Sequence, residues 1–270
     1  MATDRSAAGV RSLELALGVL EAVAVSEQEL GVTQLAERLN VTKGSVHRHL
    51  QTFVEYGYVV QNPATARYRI GPKCRLLARL APDGDLAQVA DGSMRELRDS
   101  LGHTVVLSTM TPRGALVLKT LPGASPIEIG VRPGSELSFY ASAQGKVLLA
   151  FSPRPVQERV LARPMPAFTA KTIVRRDALE NELVAIMKRG YASAPEEVLL
   201  GINTVAAPIF DQDDACAGAV AIVGSIQHLP ERPRPAAVAA LRDASQQISR
   251  KLGHGRNADA GLRLSRSRTA

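Results

Sequence analysis

Residues 32–70, reading VTQLAERLNVTKGSVHRHLQTFVEYGYVVQNPATARYRI, constrain this chain more than any other stretch. Thr33 is placed to cap a short helix over residues 34–39, in which Leu35, Ala36 and Leu39 recur at helical spacing. Asn40 then ends the helix, because Asn tolerates the left-handed backbone of a tight turn, and Val41 plugs the angle between two crossing helices. Thr42 is a second cap. After it Val46, Leu50, Phe53 and Val54 fall at i, i+4, i+7 and i+8, one apolar stripe. The opposite face carries Lys43, Ser45, His47, Arg48 and Gln51, side chains that donate to phosphates and base edges, beside a helix N-terminus that attracts anions. Gly57 breaks the period. Two β-prone runs, 58–60 and 68–70, then flank a turn-rich segment at 62–65. Helix, tight turn, helix and hairpin in this order predict a winged helix-turn-helix.

The local charge agrees with a polyanion partner. Between Arg38 and Arg79 the basic residues are Arg38, Lys43, Arg48, Arg67, Arg69, Lys73, Arg75 and Arg79, against Glu55 as the one acid. A merely solvated amphipathic face is the alternative, and it does not account for the order and lengths of the elements. The whole chain of 270 residues has a formal net charge of +7, part of it in an Arg-containing tail (Arg256, Arg263, Arg266, Arg268) whose composition predicts disorder. Its length fits two ordinary domains.

Several chemistries lack their residues. Cys74 and Cys216 are the only cysteines, which leaves no disulfide framework and no CxxC motif. No signal segment and no apolar run of membrane-spanning length is present, so a cytoplasmic protein without a membrane partner is expected. His47 and His49 point to different sides of a helix and cannot share a metal, so neither metal nor cofactor is expected. Gly145-Lys146 fails as a phosphate loop: Tyr140 stands where the earlier Gly belongs and Val147 where Ser or Thr belongs. A small residue for close approach at a helix start explains Gly145 instead. Glu196-Glu197 are expected in loop ion pairs, since adjacent carboxylates do not converge on one substrate atom.

Around the motif, Leu13, Leu17, Leu20 and Val23 or Ala24 predict a first helix from Ser12 packed on the other two, and Leu76, Leu77 and Leu80 a connecting helix after Gly71-Pro72. Beyond a Pro-Asp-Gly boundary, a helix with Leu86, Val89, Ala90, Met94, Leu97 and Leu101 precedes a hairpin (104–110 and 115–121). Further strands are expected at 127–131, 191–194, 203–210 and 217–224. Helices are expected at 143–151, at 178–189 with an Asp177/Glu180 capping box, and at 235–252. Hairpins with segregated helices argue for an α+β domain with a largely antiparallel sheet.

Two regions together carry a family resemblance. The first holds Lys43, Ser45-Val46-His47-Arg48, Leu50, Gly57-Tyr58 and Tyr68-Arg69-Ile70-Gly71. The second holds the 140–146 run YASAQGK, Arg189-Gly190-Tyr191-Ala192, Glu196-Glu197, Gly201-Ile202-Asn203 and Val205-Ala206-Ala207-Pro208. On these residues the chain resembles the IclR family of bacterial transcriptional regulators over about residues 11–252. The resemblance implies a winged-helix DNA-binding domain (11–71), a linker helix (72–82) and a GAF-like effector-binding domain with an antiparallel sheet (83–253), and composition leaves a basic disordered tail (254–270) after them. It also implies double-stranded operator DNA as partner and a homodimer or homotetramer formed through the N-terminal domains, the linker helix and the effector domains. DNA contacts are then expected from Thr33, Thr42, Lys43, Ser45, His47, Arg48, Gln51, Arg67 and Arg69. Carried over position by position, Ile129, Ala143, Gln144, Ala194, Ile202, Thr204, Ala221 and Val223 are the implied lining of a small-molecule site.

The sequence departs from that family where its members bind small carboxylates. Ala194, Ala221 and Val223 stand in place of acidic and hydroxyl residues, leaving Gln144 and Thr204 as the polar side chains, which favours an aromatic or weakly polar metabolite. Gly44, Thr42 and His49 also replace the usual residues of the reading motif. The expected function is a ligand-responsive repressor or activator of a catabolic or metabolic operon, and not an enzyme. The alternatives are an enzyme with an appended DNA-binding domain, which lacks a triad, metal or nucleotide motif, and a sequence-nonspecific architectural DNA protein.

Overall fold

The computed structural model describes residues 10–26, 28–80, 86–125 and 129–255. The chain divides into two compact units, Met1–Gly84 and Asp85–Ala270.

The first unit is built from α1 (Arg11–Ala24), α2 (Val32–Leu39), α3 (Lys43–Glu55), the antiparallel pair β1 (Val59–Gln61) and β2 (Tyr68–Ile70), and α4 (Pro72–Leu80). Its core joins Val19, Ala22 and Val23 of α1 to Leu35 and Ala36 of α2, Val46 and Leu50 of α3, and Val59 and Tyr68 of the hairpin. Leu35 and Leu50 are fully enclosed, and truncating either to Ala costs about 2–5 kcal/mol. Asn40 takes the left-handed conformation at φ 53°, ψ 48°, so the turn forms as its residue type predicts. An isolated bridge from Leu30 to Tyr68 adds a third chain beside the hairpin.

Two expectations fail in this unit. Thr33 is not a cap, because the helix starts one residue earlier at Val32. Gly31 is the N-cap, and its N–H donates to Gln34 Oε1 at 3.0 Å. The predicted inward stripe of α1 holds at Leu20 and Val23 and fails at Leu13 and Leu17, which are 56% and 48% exposed; Val19 and Ala22 complete the core face.

The second unit centres on one six-stranded, wholly antiparallel sheet in the order β5-β4-β3-β8-β7-β6. Its elements are α5 (Leu86–Leu101), β3 (Thr104–Met110), β4 (Ala115–Leu121), β5 (Glu136–Leu137), α6 (Ala143–Ala150), α7 (Arg154–Leu161), α8 (Arg176–Arg189), β6 (Ala192–Ser193), β7 (Ile202–Phe210), β8 (Cys216–Ser225) and α9 (Pro235–Lys251). Alternation along the strands separates two faces. Val105, Leu107, Val205, Ala207, Ile209, Val220 and Ile222 pack under α5 and α9. Ala206, Ala219 and Ala221 face α6 and α8, and their small side chains let a wholly buried α6 lie close to the sheet.

That close approach fixes Gly145. A Cβ there would collide with the carbonyl of Ser138 and sit 2.7 Å from the Cα of Phe139, so the glycine serves proximity and not phosphate binding.

Three differences from expectation are found in this unit. Of the strand predicted at 127–131, residues 127 and 128 lie outside the described residues and 129–131 are irregular. The edge of β4 at Ala115 and Leu116 is instead taken by β5, beyond the turn at Gly134 (φ 82°). Helix α8 begins at Arg176 with Arg175 as N-cap and no capping box. Asp177 is drawn to Arg175, and Glu180 to Arg176 at 3.2 Å. Helix α7 was not anticipated.

Candidate nucleic-acid interface and candidate ligand site

In the first unit the core positions α3 through Val46 and Leu50, which turns Lys43, His47, Arg48 and Gln51 outward, all exposed, with Ser45 half-buried. Thr42 caps the helix, its hydroxyl accepting from Ser45 N at 3.3 Å. Among the described residues no carboxylate lies in ion-pair range of Lys43 or Arg48, so this face presents unneutralised donors. Thr33 is exposed in the first turn of α2, and His49 is half-buried beside the core. No atom lies within 4 Å of the point a Cβ at Gly44 would occupy.

The wing is more constrained than its sequence indicates. Glu29, outside the window in which Glu55 is the one acid, reaches across it: Asn62 Nδ2 and Thr65 Oγ1 donate to Glu29 Oε2 at 2.9 and 3.3 Å. Arg69 Nε lies 3.6 Å from Glu29 Oε1, and Arg67 Nη1 donates to the Glu29 carbonyl at 3.2 Å. Both wing arginines are thus exposed cations held from behind. Glu29 is 33 residues from Asn62, and no local pattern announces the contact. On α4, Lys73 sits 5.7 and 5.4 Å from the ring centroids of Tyr56 and Tyr58, which uses that cation internally.

The first unit also exposes a set of leucines. Leu13 and Leu17 recur one turn apart on α1, and Leu76, Leu77 and Leu80 are 53%, 54% and 68% exposed on α4, a helix with no buried residue.

In the second unit the eight positions named for a ligand site fall on and around the α6 face of the sheet. Thr204 and Val223 are cross-strand partners, Ala221 pairs with Ala206 and with Val106, and Ala194 N donates to Thr204 O at 2.9 Å. Ile129 and Ile202 pack against Val106, Val117 and Val223, while Ala143 and Ala194 join Ala221 in the adjoining cluster. Gln144 stands in the first turn of α6, capped by Ser142, whose Oγ accepts from Gly145 N at 3.0 Å. Gln144 is 1% exposed and its Nε2 has no hydrogen-bond partner. A buried amide donor without an acceptor costs free energy, so this atom marks a place where a ligand acceptor would be favourable.

Sequence reasoning missed two features of this region. Ser108 is fully buried on the same sheet face, and its Oγ is also unpartnered; its alternation with Val106 was the available signal. Lys146, on α6, is fully buried and pairs with Glu197. Burial pushes the Lys146 ammonium down and the Glu197 carboxyl up, and each charge partly restores the other. Glu196 pairs separately with Lys171 at 2.7 Å, so both glutamates serve ion pairs.

Comparisons with known proteins agree with this arrangement. A family model described as "IclR helix-turn-helix domain" matches residues 12–63, and one described as "Bacterial transcriptional regulator IclR C-terminal" matches residues 79–250. The glycerol operon regulatory protein of Streptomyces coelicolor is 33% identical over 253 residues, covering 93% of this chain and 99% of that protein. The crystal structure of the Thermotoga maritima IclR superposes with a TM-score of 0.67 at 26% identity, over 90% of this chain and 99% of that one. An IclR homologue from Microbacterium hydrocarbonoxydans, complexed with 4-hydroxybenzoate, shares the fold with a TM-score of 0.72 at 24% identity, over 89% and 98% of the two chains.

Proposed function

Because the chain belongs to the IclR family of bacterial transcriptional regulators, we propose that it binds operator DNA through α3 and the wing and that a small organic effector in the second unit controls that binding. The exposed, unpaired face of α3 carries this reading. Lys43, Ser45, His47, Arg48 and Gln51 supply donors for base edges and phosphates, and Thr33, Thr42, Arg67 and Arg69 supply flanking phosphate contacts. Homo-oligomerisation would place two such helices on one duplex, and the exposed leucines of α1 and α4 are suited to that contact.

For the effector we infer an aromatic or weakly polar metabolite. The eight positions Ile129, Ala143, Gln144, Ala194, Ile202, Thr204, Ala221 and Val223 carry no charge, and Gln144 Nε2 is an unspent donor. That a protein of the same fold holds 4-hydroxybenzoate supports the class by analogy alone. An effector changes operator affinity by its differential affinity for two arrangements of the oligomer. The second unit senses its ligand and does not convert it; mass spectrometry of ligand recovered after prolonged incubation would return it unchanged.

The deciding experiment is footprinting of the chain on its own upstream region, followed by titration with Arg48→Ala. The variant should lose about 1–3 kcal/mol of affinity and relax base preference at one position. Wild-type affinity in Arg48→Ala would overturn the assignment of α3 as the reader.

A further inference from the structure

We propose that a second cleft, at the outer edge of β7 and distinct from the ligand site above, binds a planar organic dianion between Arg242 and Arg250. The cleft encloses about 720 Å³ and includes none of the eight positions named for the effector. That volume is within the range of small-molecule sites.

One side of the cleft is aromatic. Phe151 meets Phe210 edge-on with ring centroids 5.2 Å apart, and the His254 ring lies nearly parallel to Phe210 at 5.3 Å. An aromatic ligand body can meet these rings in stacked or edge-on contact.

The facing wall is α9, whose residues Arg242, Ser245, Gln246, Ser249 and Arg250 share one side of the helix at i, i+3, i+4, i+7 and i+8. The serines are already spent. β6 pairs with β7 at Val205 and Ala206 and the chain after it continues along Thr204 and Ile202, so β6 leaves the part of that edge beyond Ala206 uncovered. There Ser245 Oγ donates to the Pro208 carbonyl, and Ser249 Oγ accepts from Phe210 N at 3.0 Å while donating to Ser245 O at 2.8 Å.

Arg242, Gln246 and Arg250 are not spent. All three are exposed, and no hydrogen bond or ion pair engages their side chains among the described residues. No carboxylate lines the cleft; Asp214, nearby, lies 2.8 Å from His254 Nδ1. The Arg242 guanidinium lies 3.8 Å from the point a Cβ at Gly190 would occupy, beside the left-handed C-cap of α8 at φ 76°. Eight helical residues span about 12 Å, so the two guanidinium groups stand toward opposite ends with Gln246 between them. A ligand with an anionic group at each end and a flat body between uses both arginines, each in a bidentate contact, together with the aromatic side.

Terephthalate is the probe, with benzoate as the single-charge comparison, titrated calorimetrically into the full chain. Terephthalate should bind, benzoate should bind about tenfold more weakly, and Arg242→Gln and Arg250→Gln should each weaken terephthalate by about tenfold or more. Gln144→Leu should leave terephthalate affinity unchanged, which separates this cleft from the site proposed around Gln144. Both arginines being exposed, the variants should melt with the wild type, and a melting shift would be read before any binding loss is scored. No terephthalate binding to the wild type at millimolar concentration, affinity that survives the double arginine variant, or affinity lost in Gln144→Leu would each overturn the proposal.

Discussion

Lys146 and Glu197, 51 residues apart, form an ion pair with side chains only 1% and 7% exposed, joining the buried helix α6 to the connection between β6 and β7. Burial pushes the Glu197 carboxyl up more than Lys146 and the Ile173 backbone N–H draw it down, so the desolvation of the pair is incompletely offset. Thr172 adds a support, donating to the Glu197 carbonyl at 2.6 Å. Lys146→Met would strand a buried carboxylate and should destabilise the protein by about 3–5 kcal/mol, whereas the double variant Lys146→Met, Glu197→Leu should recover most of that loss. Denaturant midpoints of the two variants decide this, and a double variant as unstable as the single would show that the charge pair itself is required.

Gly44 lies at the start of α3 with open space where its side chain would be. Nothing within the free protein requires a glycine there. Gly44→Ala should therefore stabilise the first unit by about 0.5–1 kcal/mol through a lower backbone entropy cost. On the proposed DNA-facing surface the added methyl should meet the duplex and weaken operator binding. A thermal melt and a binding isotherm on the same preparation test both halves; tighter operator binding would mean that α3 approaches DNA by another face.

Asp91 ties α5 to β4 by accepting from Lys119 Nζ at 2.5 Å and from Arg95 Nε at 2.8 Å. Hydrogen bonds from Arg95 and then Lys119 hold its carboxyl at about 2, below the ordinary 3.8. Because the folded value is depressed, the contribution is fully present above about pH 4 and is lost as pH falls toward 2. Asp91→Asn should lower the melting temperature near neutrality, where the wild type has the full contribution, and converge with the wild type toward pH 2, so that the acid limb of melting temperature against pH is flatter in the variant.

Residues that obey one constraint were legible in the sequence, and residues that answer to two were not. The span of α3 follows from the period of its one buried face, while β3, β7 and β8, buried on both faces, read as continuous β-prone apolar runs bounded by turn residues. Helix α1 carries two apolar faces, one for the core at Val19, Ala22 and Val23 and one left exposed at Leu13 and Leu17, and spacing alone could not tell them apart. Strand β5 is two residues long, too short for any alternation, and α7 opens on prolines with few apolar residues in its span. Glu29 at the wing and Glu197 at Lys146 act across long sequence separations, where a residue's type does not name its partner.

The leucines of α4 offer a direct check on assembly. Leu77 is exposed and belongs to no buried cluster, so Leu77→Glu should not unfold the first unit. If α1 and α4 form the proposed oligomer contact, the charge should be intolerable there, and sedimentation should show a smaller species that also loses operator affinity. A variant that sediments as the wild type would place the contact elsewhere.

Gln144 supplies a prediction in which stability and binding move in opposite directions. Its buried Nε2 lacks a partner, so the folded protein without ligand carries the cost of a desolvated donor. Gln144→Leu removes that donor at similar volume and should raise stability by about 1 kcal/mol. The same substitution removes the group proposed to anchor the effector, so ligand-induced thermal stabilisation should disappear in the variant. A purely structural Gln144 would give the reverse pattern, a less stable protein whose ligand response is intact. The comparison needs the effector in hand, which a thermal-shift screen of aromatic and weakly polar metabolites against the wild type would provide.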